Sequence, residues 1–596
     1  MHAAVAITYT VLGLEPNTHR THFQVDVRGI RSPRTDLLLP VWAPGAYEIR
    51  DSAREVRDVS ARPSGTTREI PVEHVEKNHW RIPTEGVDSL EVRYTVYGYG
   101  ISDDGLDLTD AHLFLNATRC LPWVAGREHE PVELALHLPP GWKAFAELPR
   151  VGEHPARFRA ENYEELVDTP VDCGNPVEIT VRPAGIPHHV LVCGGPGNYE
   201  VHRIEEDVTK IVEAQVRFFG DSPLKSYTFF LHLADRRDGG LEHRASTALV
   251  VDRNSFRPPE EYENFLTLVS HEYFHLYNVK RIRPKVLGPF DFTRENYTRQ
   301  LWWMEGTTDY ASALLVRRAG LFTPARYLSR VAELFQRYLQ IPGRLVKSLE
   351  EASFSAWIDL YQRYEETRNT SVSYYLKGYL VSLALDLEIR QRTENQKSLD
   401  DIFRHLWNEY GKPGRGLEEG ELYTVFNRVS GLDLGEFVDR YIRGTAAFEI
   451  DPYLRHAGLS FAAAPKPTGP GEPTEPAYLG VELQNEGGRV RVREVLDDAP
   501  ARRAGLSPSD EIVAVDGSRV LFEGFTDMLK RYSPGDEITL HVFRRGMLTP
   551  VRLTAGKAPP SKYVIAPVKE PTELAKRIYA SWLMAPWEPA SPNPPA

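Results

Sequence analysis

Two histidines four residues apart, with a glutamate beside the first, constrain this 596-residue chain more than any other feature. In His271-Glu272-Tyr273-Phe274-His275 both imidazoles share a face only if the segment is helical, and Glu272 then lies beside the same point in space. This is the H-E-x-x-H arrangement, in which two imidazoles hold a divalent metal and the glutamate handles the proton of a water molecule. With 19 histidines in the chain, such a match arises by chance in about one chain in twenty, so the surroundings must carry the reading. Phe265, Leu268, Val269, Tyr273 and Leu276 repeat at the three-four spacing of a buried helical stripe. His271 and His275 fall on an adjoining face, and Pro284 predicts the end of the segment.

A metal centre that does chemistry needs a third protein ligand and a position left open for water. The next helical run, Leu301 to Arg318 with a stop near Gly320, offers Glu305 as that ligand. Asp309 follows one turn later, where a carboxylate can accept the other ring proton of a ligating histidine. The competing reading makes Glu305 a solvated helix acid and Asp309 a cap.

A chain of this length exceeds what one core can hold, and three or four domains are expected. Its formal net charge of −12 argues against nucleic acid or an anionic membrane as partner. No apolar run approaches 18 residues, and the first residues lead directly into a strand-like Ala6-to-Val11 segment, so a cytoplasmic location is expected. Cys120, Cys173 and Cys193 are odd in number, far apart and without metal-ligand spacing; they read as buried small residues in a reducing compartment.

The organisation expected is a multidomain α+β protein. Residues 1–180 alternate with period two at Phe23/Val25/Val27, Leu90/Val92/Tyr94/Val96, Val132/Leu134/Leu136 and Val177/Ile179/Val181, predicting a β-sandwich. Residues 181–330 mix strands and helices around the metal motif, and 331–457 are mainly helical, completing the active site. Five prolines between Pro465 and Pro476 mark 458–476 as a stiff linker. A compact β-rich module over 477–557 precedes a tail, 558–596, in which Leu574, Ile578 and Trp582 at four-residue spacing predict a short docking helix.

Three separate motifs resemble one family. They are the zinc motif continued as Asn278-Val279-Lys280-Arg281-Ile282-Arg283-Pro284, the stretch Leu39-Pro40-Val41-Trp42-Ala43-Pro44-Gly45-Ala46-Tyr47 with Arg50-Asp51, and Glu305-Gly306-Thr307-Thr308-Asp309-Tyr310. Together they resemble the glycyl aminopeptidase family of zinc peptidases, whose members carry a C-terminal PDZ domain. That resemblance implies a thermolysin-like catalytic domain shared with aminopeptidase N, one Zn2+ per chain, Glu305 as third ligand, peptide substrates with a free N-terminus, and a preference for small first residues. The 29 residues between His275 and Glu305 exceed the separation in aminopeptidase N relatives, so an additional loop is expected there.

The chemistry still lacks two parts. Removal of single N-terminal residues needs an anion to hold the α-ammonium. Gly239-Gly240-Leu241-Glu242 resembles the corresponding aminopeptidase N segment, with Glu242 as the anion and the glycines admitting substrate backbone. A donor to the developing oxyanion is the other part. Tyr375 in Tyr375-Leu376-Lys377-Gly378 resembles the Tyr-x-Lys-Gly tyrosine of those relatives, although a tyrosine on so apolar a helix is more often core.

The module at 477–557 looks like a PDZ domain. Tyr478-Leu479-Gly480-Val481 has the form of its carboxylate loop, and Phe525, Met528 and Leu529 would line its groove helix. Such a groove takes a C-terminal peptide, from a substrate, a partner or a second copy in a homo-oligomer. The alternatives to an aminopeptidase are a zinc endopeptidase and a catalytically idle PDZ-bearing scaffold.

Overall fold

Period-two alternation becomes buried alternation. On the strand Arg20–Arg28, Phe23, Val25 and Val27 are buried while the residues between them are partly exposed. Each such side chain removed from water contributes about 1.5–3 kcal/mol, which fixes the register, since a one-residue slip would turn the whole set outward. The structure, a computed structural model, describes residues 5–236, 239–464 and 477–587. It divides into two compact units: Met1–Thr298 with Ala311–Phe322 and Asp400–Val425, and Arg299–Tyr310 with Thr323–Leu399 and Phe426–Ala596.

The first unit opens with three β-sheets. The seven-stranded one runs Arg150–Glu153, Ala156–Ala160, Val132–Leu136, Ile7–Glu15, Arg20–Arg28, Ser89–Tyr97 and Val56–Pro63. Two four-stranded sheets accompany it, one of which orders Lys143–Phe145, Val171–Gly174, His112–Leu115 and Leu106–Leu108. A mixed five-stranded sheet follows: Val177–Val181, His188–Cys193, Tyr227–Ala234, Ser246–Asp252 and, at its edge, Gly239–Glu242. The sandwich expected over 1–180 therefore ends earlier. Val177–Val181 pairs antiparallel with His188–Cys193 and belongs to the later sheet; its alternation showed a strand but could not say which sheet would take it.

Two helices lie against one another in this unit. Pro259 and the acidic Glu260 and Glu261 start the helix Pro259–Phe274, a proline and negative charge both suiting a helix N-terminus. Gln215 from the helix Val201–Phe219 donates to the Ser270 carbonyl at 2.7 Å. The segment predicted to run to Pro284 instead leaves the helix after Phe274. Val279 takes a positive φ of 119°, and Asn278 bridges to Ile282, so the chain turns back at once.

The second unit is built around the helix Tyr374–Arg392, most of whose residues are buried. The linker expected at 458–476 begins with a strand, Leu459–Ala463, which pairs with Tyr563–Pro567 from the expected tail. Its proline-rich part, 465–476, lies outside the described residues. The tail continues as the helix Glu573–Leu583, with Ile578 and Trp582 buried and the Trp582 indole donating to the Tyr310 hydroxyl at 3.0 Å. Among the described residues, no helix is long and apolar enough to cross a membrane.

Candidate active site

The metal motif occupies the last turn of Pro259–Phe274, where Tyr273 and Phe274 turn inward and are fully buried. Tyr273 is anchored there by His188, whose Nε2 lies 3.1 Å from the phenol oxygen. The inward pair leaves His271 and His275 on the other side, with their Nε2 atoms 2.8 Å apart. His275 Nδ1 lies 2.8 Å from the Asn278 carbonyl, an acceptor only, so Nδ1 carries the proton and Nε2 presents its lone pair. The abrupt turn after the helix is what supplies that carbonyl. The acceptor for His275 is therefore backbone, not Asp309.

Two carboxylates converge on the same place. One donor atom from each of Glu242, Glu272 and His275 lies within 4.8 Å of the others, and all three residues are buried. Glycines make the space. A Cβ on Gly240 would run into the Glu272 carboxylate, so the edge strand can pass Glu272 only without a side chain there. Gly45, at φ +103°, presses equally closely on Glu242: a Cβ there would come within 2.6 Å of one carboxylate oxygen and 2.7 Å of the other. Beneath the edge strand, Asp168 accepts from Lys280 at 2.7 Å and from the Arg244 backbone N–H at 3.0 Å. Burial alone would raise the Asp168 carboxyl, but Lys280 and His243 hold it well below the ordinary carboxylate range.

Glu305 and Tyr375 belong to the second unit. Trp302–Gly306 is a π-helical turn, a distortion that recurs at functional sites, and it runs directly into the helix Thr307–Arg318. Glu305 is 2 % exposed, which rules out the solvated-acid reading. Gly306 and Gly378 meet backbone to backbone: a Cβ on Gly306 would lie 2.7 Å from Gly378 Cα, and one on Gly378 would lie 2.8 Å from the Trp302 carbonyl. Thr307 and Ser382 hydroxyls close the crossing at 2.7 Å. This contact carries Glu305 and Tyr375 into one neighbourhood. Burial raises the Tyr375 phenol well above its usual range, and the negative charge of Glu305 adds to the rise. At neutral pH Tyr375 is a proton donor.

A sequence model described as M61 glycyl aminopeptidase matches residues 264–381, taking in the metal motif, Glu305 and Tyr375. The peptidase M61 N-terminal domain matches 8–175, and a PDZ domain matches 477–554. A crystal structure described as an aminopeptidase N family protein, from Idiomarina loihiensis, is 30 % identical and superposes with a TM-score of 0.89, over 97 % of this chain and 100 % of that one. This chain belongs to the M61 peptidase family. No curated protein matches it.

In this M61 peptidase the N-terminal match stops at residue 175, short of Val177–Val181, in agreement with the sheet pairing. The PDZ domain places Tyr478 in a short strand with Gly556, buries Leu479, and holds Gly480 at φ +75°. The Gly480 carbonyl accepts from Leu496 N–H at 2.9 Å, which shapes the loop. Val481 then opens the strand Val481–Glu486 at the sheet edge, and Phe525 is buried with Met528 and Leu529 packed against the same core.

Two residues that the fold of this peptidase brings to the region carry no signal in the sequence alone. Gly45, one residue of the Leu39-to-Tyr47 stretch, backs Glu242. Asp103 is the other. Its Oδ2 lies 3.0 Å from where a Gly239 Cβ would stand, and burial, with the nearby Asp104 charge, lifts its carboxyl to about 6. Nothing local marks either one, because both reach the edge strand from the N-terminal β-rich part.

Proposed function

We propose that this M61 peptidase is a zinc aminopeptidase that hydrolyses the first peptide bond of substrates with a free N-terminus. His271, His275 and Glu305 would hold the metal. The donor chemistry fits: two buried imidazole nitrogens face one another, one with its lone pair assigned by the Asn278 carbonyl, and imidazole and carboxylate are ordinary zinc ligands. Zinc, when bound there, supplies Lewis-acid polarisation of the scissile carbonyl and lowers the pKa of water. Glu272 takes the proton of the attacking water and delivers it to the leaving amine. Tyr375 donates to the carbonyl oxygen as charge develops on it. With the Asn278 carbonyl serving His275, Asp309 would be the acceptor for the ring proton of the other ligating histidine, His271.

The observation that carries the aminopeptidase reading is Glu242. Its carboxylate is buried beside Glu272 and His275, with Gly45 against its back. An anion so close to the proton-handling glutamate suits a substrate ammonium, whose reference pKa of about 7.7–8.0 keeps it largely charged at neutral pH. The preference for glycine and alanine rests on the family description alone. The three thiols, unpaired with one another, fit a reducing, cytoplasmic setting, and the PDZ groove would take a C-terminal peptide.

Free and N-acetylated forms of one short peptide, with and without chelator, test the reading. We expect cleavage of the free form only, abolished by chelator, and a Glu242→Gln variant that loses most kcat/KM. Efficient cleavage of the acetylated peptide would instead establish an endopeptidase.

A further inference from the structure

A second set of metal donors lies in the first unit, outside everything used above. His112, Asp172, Cys193 and His232 come from four different strands, His112–Leu115, Val171–Gly174, His188–Cys193 and Tyr227–Ala234. Strand pairing explains the meeting. Gly174 pairs with His112 and Asp172 with Phe114 in one sheet, while Cys193 pairs with His232 in the other, so the cluster sits where these two sheets face each other. One donor atom from each residue lies within 4.8 Å of all the others.

The geometry is that of a coordination shell drawn slightly inward. Asp172 Oδ2 is 3.0 Å from His112 Nε2 and 2.8 Å from His232 Nε2, and Cys193 Sγ is 3.6 Å from both Asp172 oxygens. For a tetrahedral zinc with bonds of about 2.0–2.1 Å to N and O and about 2.3 Å to S, ligand separations are about 3.3 Å for N···O and about 3.6 Å for S···O. The sulfur already stands at that distance, and the imidazoles need retreat by only a few tenths of an ångström. Asp107 Oδ2 lies 3.8 Å from His112 Nδ1, placed to orient the ring from behind, as carboxylates do for metal-bound histidines. Entry is open: a cavity of about 940 Å3 has His112, Cys193 and His232 on its wall.

We propose that His112, Asp172, Cys193 and His232 bind a second, thiophilic divalent cation, Zn2+ foremost, which staples the N-terminal β-rich part to the five-stranded sheet. Two imidazoles, a carboxylate and a thiolate make four ligands with no position left for water, the pattern of a structural site. On binding, the Cys193 thiol gives its proton to solvent as the sulfur–metal bond forms. The site stands independently of the aminopeptidase reading.

Cobalt substitution of the full chain tests it, because the ligands proposed at the motif site contain no sulfur. We expect two equivalents of Co2+ per chain and a thiolate-to-cobalt charge-transfer band in the near ultraviolet. A His271→Ala/His275→Ala variant should keep the band and one equivalent. Cys193→Ser, and separately His232→Gln, should lose the band and one equivalent, and chelator should lower the Tm of wild type more than that of either variant. A wild-type chain without the band would overturn the proposal and leave a metal-free network in which Asp172 accepts hydrogen bonds from both imidazoles; a band that survives Cys193→Ser would overturn it by placing the cobalt on another thiolate. Neither result touches the motif site, whose failure would appear as absent peptidase activity with the band intact.

Discussion

Two histidine pairs described in the first unit differ in grammar. His271 and His275 sit four residues apart on one helix, so a single turn of backbone brings them together. His112 and His232 are separated by more than a hundred residues and meet only because each strand finds its partner in a sheet and the sheets then face one another. The first pair stands beside two buried glutamates, Glu242 and Glu272. The second is closed by a carboxylate and a thiol. On our two proposals the same imidazole serves reaction in one place and cohesion in the other, and the neighbours decide which.

That contrast can be broken most sharply at Glu272. If the helix-borne site is chemical, Glu272→Gln should leave metal content and thermal stability close to wild type while turnover falls by about 10³-fold or more, measured on a free dipeptide. Substantial remaining turnover would move proton transfer elsewhere. Tyr375→Phe sharpens the comparison at the next level. Loss of one preorganised donor should lower kcat by about 10²–10³-fold with little change in KM, whereas a tyrosine that is only core would shift the melting temperature instead.

Lys377 probes the boundary between the two roles with the smallest effect. It lies two residues beyond Tyr375, yet its ammonium is fully buried with no hydrogen-bond acceptor among the described residues. Burial lowers its pKa from 10.5 to about 8. Between pH 8 and 10.5 the unfolded chain binds more protons at this site than the folded one, so stability rises with pH across that window, and the cost is fully present below pH 8. The difference corresponds to about 3 kcal/mol at neutral pH. Lys377→Met should therefore be more stable than wild type at pH 7 and should lose most of the rise in denaturant midpoint between pH 8 and 10. An unchanged pH profile would mean that the ammonium finds a partner in solution.

Much of the architecture was legible because its signals are local. The alternation at Phe23/Val25/Val27, the helical stripe before His271, the Ile578/Trp582 spacing and the loop glycine of the PDZ domain each occupy a few consecutive residues. Which element lies beside which is not written in such local signals. The alternation at Val177–Val181 marks a strand but not the sheet that takes it, and Leu459–Ala463 is hard to see at the edge of a proline-rich stretch because its partner lies about a hundred residues later. The helix ends earlier than Pro284 suggests, and nothing in Leu276 to Ile282 announces the positive φ at Val279.

By itself, the sequence determined that a helix would present two imidazoles and a glutamate together, because 3.6 residues per turn leaves no other useful arrangement for that spacing. It also determined the order of β-rich, mixed, helical and PDZ parts, each written in its own periodicity. Only the tertiary structure decided that Gly45 would back Glu242, that Gly306 would meet Gly378, and that Cys193 would join two histidines and an aspartate. Those meetings depend on strand order and on the close approach of backbones, which are properties of the packed whole that no short window of residues encodes.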